Sequence, residues 1–124
     1  MELPLYKKIS VSASGSDTAE YIPTYRKMVL KEVRLVADTA VTAHAANFLE
    51  ITLVNGSTTL ATRNFSTGSG SSMAAGTAEA LALSGGSGLD FDNLGELKIN
   101  YDQNGGGMAF DGGILLVFEP RRAV

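Results

Sequence analysis

Apolar residues in this chain recur at every second position, and no other feature of the sequence so narrows what it can fold into. Leu3, Leu5, Ile9 and Val11 share one parity, with Lys8 and Ser10 between them. Val29, Val33, Leu35 and Ala37 repeat the pattern around Lys31, Glu32 and Arg34. Leu49, Ile51 and Leu53 alternate with Glu50 and Thr52, and Leu97, Ile99 and Tyr101 with Glu96, Lys98 and Asn100. Side chains of a strand point alternately to opposite faces, so this period describes strands with one face on a core and one face wet. Helical spacing is weak. The alanine-rich residues 39–47 and the stretch 73–81 are too short to hold helices alone, and read as loops or single turns.

Glycine supplies the punctuation. Twelve of the 14 glycines fall between Gly68 and Gly113, whereas Pro4, Pro23 and Pro120 lie near the ends. Proline removes a ladder donor, so its absence from the middle suits central strands. Asn55-Gly56 reads as a type I′ turn joining strands over 48–54 and 58–65, because both central residues of that turn need positive φ. Residues 66–72 and 84–88 are Gly/Ser loops, 78–83 is a strand, and 89–93 a short element. About eight strands at such intervals predict an all-β fold, an antiparallel β-sandwich or jelly roll with little or no helix. Residues 1–20 read as an N-terminal arm or edge strand, and 21–124 as the sandwich domain.

The closing run Ile114-Leu115-Leu116-Val117-Phe118 breaks the alternation, being apolar on both parities. A strand of this kind is covered on both faces. In a small sandwich only one face meets the core, so these five residues are expected at an interface with another copy of the chain. A homo-oligomer follows.

Chain length of 124 residues allows one domain with a real core, and the core must hold without cross-links because there is no cysteine. No run approaches the ~20 apolar residues of a membrane span. The N-terminus lacks the pattern of a signal peptide, which points to synthesis in a cytoplasm. A net charge of −3 argues against a nucleic-acid partner. Charge is uneven: residues 1–36 carry six Lys/Arg against four Asp/Glu, and residues 37–124 four against nine. One end can therefore prefer an acidic surface.

Catalytic chemistry finds few residues to work with. His44 is the only histidine, and no spacing supplies it with a base partner or a second metal ligand; it reads as a loop residue. Asp90, Asp92 and Asn93, and more loosely Asp102, Asn104 and Asp111, are oxygen-rich enough to consider calcium, but lack the loop that holds it and suit turns equally well. Neither glycine-rich stretch has the lysine and helix of a phosphate loop. No cofactor, metal or enzymatic activity is expected. Tyr21, Tyr25, Arg26 and Lys27 form the best contact patch, since Tyr and Arg anchor protein interfaces.

The residues from Val29 to Thr42, the Phe48-x-x-Ile51-x-Leu53-x-Asn55 hairpin, the stretch from Ala74 to Ser84 and the closing strand from Gly112 to Glu119 together resemble small head proteins of tailed phages. The resemblance covers residues 28–119 and carries no catalytic signature. It implies a capsid decoration, or cement, protein: a sandwich or jelly roll, commonly trimeric, that docks on the outer surface of the head and clamps neighbouring major capsid subunits. Leu3 and Leu5 of the N-terminal arm, with Tyr21, Tyr25, Arg26 and Lys27, would then contact the capsid. A carbohydrate- or receptor-binding sandwich on a virion surface is the alternative, marked by exposed aromatic rings along one groove.

Overall fold

A computed structural model describes residues 2–14, 16–24, 26–92 and 94–121. Among them nine strands build two antiparallel sheets. In chain order these are β1 (Leu3–Val11), β2 (Thr18–Pro23), β3 (Met28–Ala37), β4 (Phe48–Asn55), β5 (Thr58–Asn64), β6 (Glu79–Ala80), β7 (Asp90–Phe91), β8 (Glu96–Asn104) and β9 (Phe110–Pro120). One 3₁₀ turn, Gly86–Leu89, precedes β7. No described helix is long and apolar enough to cross a membrane.

The first sheet runs β1-β9-β3-β6, with β7 pairing β3 beyond it; the second runs β2-β8-β4-β5. The pairs β1·β9, β2·β8 and β4·β5 join early strands to late ones, as in one long hairpin whose tip is the β4–β5 turn. Rolling that hairpin up brings β9 onto β3 and β8 onto β4. This is a jelly roll, the arrangement expected from the strand spacing. The inward faces of the two sheets meet in one core of Ile9, Val33, Leu35, Leu49, Ile51, Leu53, Leu60, Leu97, Ile99, Ile114 and Leu116, all fully buried. Phe65 packs on Phe110, and Phe91 meets Phe118 edge-on, each pair with ring centres 5.8 Å apart.

Local departures from the sequence expectation have identifiable causes. In β3 the inward residues are Met28, Leu30, Val33, Leu35 and Ala37, whereas Val29 is only half-buried. A register shift between Leu30 and Glu32 leaves Lys31 unpaired against β9. A bulge of this kind adds one residue to one strand and reverses the parity beyond it. The β4–β5 turn is displaced by one position. Asn55 is the last residue of β4 and pairs with Thr58, so Gly56 and Ser57 are the central pair, and only Gly56 has positive φ (61°). Positive φ at the first central residue alone is the II′ pattern, not I′. Asn55 is engaged elsewhere: its amide donates to the carbonyls of Gly88 (2.9 Å) and Asp90 (3.2 Å), tying the 3₁₀ turn to the hairpin. The strand expected over 78–83 is reduced to Glu79–Ala80. In the N-terminal stretch β1 is an edge strand that pairs with β9 along its whole length, and β2 runs across position 20.

Candidate functional site

The two flanks of the sandwich are finished differently. On the β5 side, the chain from Phe65 to Phe91 crosses between the sheets and closes them. Ser84 N donates to Leu60 O at 2.8 Å and Leu81 N to Val33 O at 2.9 Å, so the crossing segment bonds to both sheets. Arg63, nearly buried, anchors it. Its guanidinium donates to the carbonyls of Asn64, Ser71 and Ser72, pairs with Glu79 at 3.2 Å and lies 4.5 Å from the centre of the Phe65 ring.

On the opposite flank β1 and β2 are the edges of their sheets and do not pair with each other. Lys7 and Glu20 lie on the inward parities of these edges, opposite Ile114 and Ile99. They form an ion pair of 2.7 Å across the seam, and the buried Tyr101 hydroxyl donates to Glu20 at 2.8 Å. Burial alone would raise the Glu20 carboxyl, but the hydrogen bonds from Lys7 and Tyr101 outweigh it and hold the group below its ordinary range. Burial, then the hydrogen bond to Glu20 and its charge, push the Tyr101 hydroxyl far up, so it stays a donor. Inward charges and edge prolines, here Lys7, Glu20, Pro4 and Pro23, also discourage sheet-to-sheet pairing with other chains.

Beyond this latch the seam stands open. Leu3, Pro4, Leu5, Ile22, Pro23, Thr24, Arg26, Met28 and Phe118 line a mainly apolar groove of about 240 Å³. A neighbouring depression of about 280 Å³ lies between Leu5, Tyr6, Lys7, Tyr21, Ile22 and Pro23. Leu5 has inward parity, yet remains 39% exposed because no strand covers it. Tyr6 and Tyr21 flank the second depression at 57% and 55% exposure, and Lys98 lies 5.6 Å from the Tyr21 ring centre. Arg26 and Lys27 are exposed and take part in no ion pair among the described residues.

Next to the groove, Leu94 is 84% exposed with φ 65°. It is the only described non-glycine residue with positive φ, a conformation that costs such a side chain ~1–2 kcal/mol. The bonds of a turn hold it there: Leu94 N donates to Thr24 O at 2.9 Å, and Thr24 N to Gly95 O at 2.8 Å.

Of the residues singled out from the sequence, Leu3, Leu5 and Arg26 line the groove and Tyr21 the adjoining depression. Lys27 is exposed beside them but lines neither. Tyr25 lies outside the described residues. The wall residues Ile22 and Met28 carried no signal beyond ordinary core patterning, whereas Phe118 is one of the five residues expected at an interface between copies. Leu94 carried a faint signal, as a lone apolar residue in the polar sequence 92–95.

The five residues expected between copies are divided by the fold. Ile114 and Leu116 face the chain's own core and are fully buried, and Phe118, also buried, contributes to the wall of the groove. Leu115 and Val117 lie on the outer face, half-buried and 6% exposed respectively. β9 is a central strand, so β1 and β3 flank it: Leu115 sits between Tyr6 and Arg34, Val117 between Pro4 and Glu32. The Tyr6 ring lies across Gly113, in space a side chain there would fill. The chain thus covers much of the second face of β9 by itself.

The remaining polar candidates serve local structure. His44 Nδ1 accepts from the backbone N–H groups of Ala46 (3.0 Å) and Asn47 (2.8 Å), forming a turn. Arg121 pairs with Asp90 at 3.4 Å and Asp92 at 2.9 Å, which neutralises that acidic pair. Asp102 and Asp111 belong to different sheets. Burial raises the Asp102 carboxyl, and Asp17 and Glu50 raise it further against the pull of Lys98. No described group of three His, Asp or Glu side chains is placed to hold a metal ion.

No family model matches the chain, and no curated protein sequence does. Three solved structures that match come from infectious bursal disease virus. The structure of its Gx strain is 16% identical over 95% of this chain, with a TM-score of 0.40. The T=1 particles derived from the virus are 16% identical over 93%, with a TM-score of 0.41, and the VP2 subviral particle 14% identical over 95%, also at 0.41. This chain spans 31–32% of the length of those chains. At such scores no function is carried over from them.

Proposed function

We propose that this chain is a non-enzymatic virion component, a capsid decoration protein that docks on the outer surface of a phage head and steadies contacts between major capsid subunits. The open seam carries the reading. A small jelly roll that closes one flank with its own chain leaves the other apolar, with exposed tyrosines and exposed cations beside it. Exposed Tyr and Arg around a concave apolar surface are the usual anchors of protein interfaces, and docking needs area and shape, not an activated nucleophile. The sequence resemblance to phage head proteins points the same way. The capsid-facing set is Leu3, Leu5, Tyr21, Arg26 and Lys27, with Tyr25 as its expected sixth member.

Removing residues 1–14 would strip β1 from its sheet, so substitutions test the surface better than truncation. Purified protein is added to undecorated heads and its occupancy measured by cryo-electron microscopy or co-sedimentation. The double variant Tyr21→Ala/Lys27→Glu is expected to bind at least about tenfold more weakly. Equal occupancy of variant and parent would sink this docking surface. Failure of the parent chain to bind any head would sink the decoration role.

A second reading has one observation in its favour. Tyr6 and Tyr21 are exposed rings on either side of one depression, which is how sugar-binding modules present aromatic platforms. Saturation-transfer NMR with a glycan panel separates the two: contacts at both rings support a carbohydrate-binding module, and silence excludes it for the panel used.

A further inference from the structure

Three dipeptides in this chain place a glycine after an asparagine or aspartate: Asn55-Gly56, Asn104-Gly105 and Asp111-Gly112. In such a pair the glycine nitrogen can attack the side-chain carbonyl carbon, because no Cβ crowds its approach. The attack needs a free side chain, an unbonded glycine N–H and a backbone able to turn out of its extended shape. The fold grants these to the three pairs unequally.

Asn55 is tied down. Its Nδ2 donates to Gly88 O at 2.9 Å and to Asp90 O at 3.2 Å, and both bonds must break before Cγ can swing toward Gly56 N. Asp111-Gly112 is locked by its neighbours. Gly112 is paired with Ile9 of β1 on one side and Ala37 of β3 on the other, and a Cβ there would run into Val36 O. Asn104 differs from both. It is the exposed last residue of β8, and the side-chain hydrogen bonds of its turn are made by Gln103 and Asn47. Gly105 N donates to no acceptor among the described residues. The turn is closed by Gly107 N donating to Asn104 O at 3.0 Å and Gly106 N donating to Asn47 Oδ1 at 2.7 Å. Three glycines in succession follow Asn104, and glycine leaves a strand conformation more readily than any other residue.

We infer that Asn104 is a site of spontaneous deamidation. Gly105 N gives its proton to hydroxide and attacks Asn104 Cγ. The N–Cγ bond forms, the Cγ–Nδ2 bond breaks, and Nδ2 leaves as ammonia with a proton taken from water. Water then opens the cyclic imide at either carbonyl, giving aspartate or isoaspartate. Each event adds a negative charge to a chain whose net charge is already −3. The isoaspartate form also inserts a methylene into the main chain between β8 and β9. Asn104 lies at the end of β8 remote from Glu96, the residue paired with the groove wall Pro23, so the change leaves the docking surface alone.

The test ages the full chain in mildly alkaline buffer, folded and, in parallel, denatured in guanidinium chloride. Peptides are then mapped by mass spectrometry with fragmentation that separates aspartate from isoaspartate. In the folded protein, conversion at Asn104 is expected to run at least about tenfold faster than at Asn55, which must first give up two hydrogen bonds. In the denatured sample the two rates are expected to come together. Asn104→Gln, which does not close the same ring, is expected to remove the main acidic species on isoelectric focusing. Conversion at Asn55 or Asp111 as fast as at Asn104 in the folded chain overturns the inference. So does a preference for Asn104 that survives denaturation unchanged, an acidic species that persists in Asn104→Gln, or an Asn104 intact in the folded chain when the denatured one has converted.

Discussion

The two flanks of this jelly roll face the same task and meet it differently. Both must cover the line where two sheet edges approach. On the β5 flank the chain returns across the gap, bonds to both sheets and is fastened by a nearly buried arginine. On the β1–β2 flank one ion pair and one tyrosine hydroxyl span the gap, and below them the core shows through as a groove. Covering an edge with backbone satisfies its polar groups and buries its apolar ones together. An edge held only by a side-chain latch keeps apolar surface in contact with water, at a cost that a partner can recover. The difference separates the part of the molecule that makes it fold from the part available for contact.

Breaking the closed flank should have the largest effect. Arg63→Ala removes a guanidinium that serves three carbonyls, Glu79 and the Phe65 ring. A loss of about 2–4 kcal/mol is expected in urea unfolding, because several part-buried acceptors are left without donors. Amide exchange over residues 66–84 should quicken with it. A loss below about 1 kcal/mol would show that the crossing segment is held by its apolar contacts and not by the arginine.

Loosening the latch should matter less. Glu20→Gln keeps an acceptor for Tyr101 and removes the charge facing Lys7. Both members are about one-third exposed, so solvent screening limits the expected loss to roughly 0.5–1 kcal/mol at neutral pH. The pH dependence carries a definite sign. The folded Glu20 carboxyl lies below its ordinary value, so its contribution is present above the unfolded pKa, near 4.3, and is lost as pH falls through the folded one. Stability of parent and variant should therefore converge in acid. A gap that persists there would mean that the latch acts through packing and not through charge.

The smallest effect is expected at Asp102, away from both flanks. Its carboxyl is raised by burial and by Asp17 and Glu50, so the ionised form opposes folding at neutral pH, and stability is gained as pH falls through the folded value. Asp102→Asn should stabilise the fold by roughly a few tenths of a kcal/mol at neutral pH, with the gain fading in acid. Thermal melts at two pH values would check it; a destabilised variant would mean that the carboxylate has a partner stronger than Lys98.

Much of the fold is legible in the residues because alternation is a local property. β1, β4 and β8 place Leu5, Ile51 and Ile99 on the parity read from the chain. The failures come where one residue answers to a distant one. The bulge at Lys31 reverses the parity of Met28 and Val29, and Asn55 leaves the turn to bond Gly88 and Asp90, some 33–35 residues away. Leu3, Leu5, Tyr21 and Arg26 could be chosen as surface residues from their position near prolines and charge, but Ile22 and Met28, which help complete the groove, look like core on any local reading.

Wet-and-dry sheets turned by glycine follow from local pattern alone, since side-chain direction along a strand depends only on neighbouring residues. The place of β9 between β1 and β3, which largely covers its doubly apolar run within one molecule, and the meeting of β1 and β2 without pairing are set at the tertiary level. Those outcomes depend on which distant strands become neighbours once the long hairpin rolls up. The free energy of that choice is spread over contacts between residues, in some pairs more than a hundred positions apart, which no local pattern records.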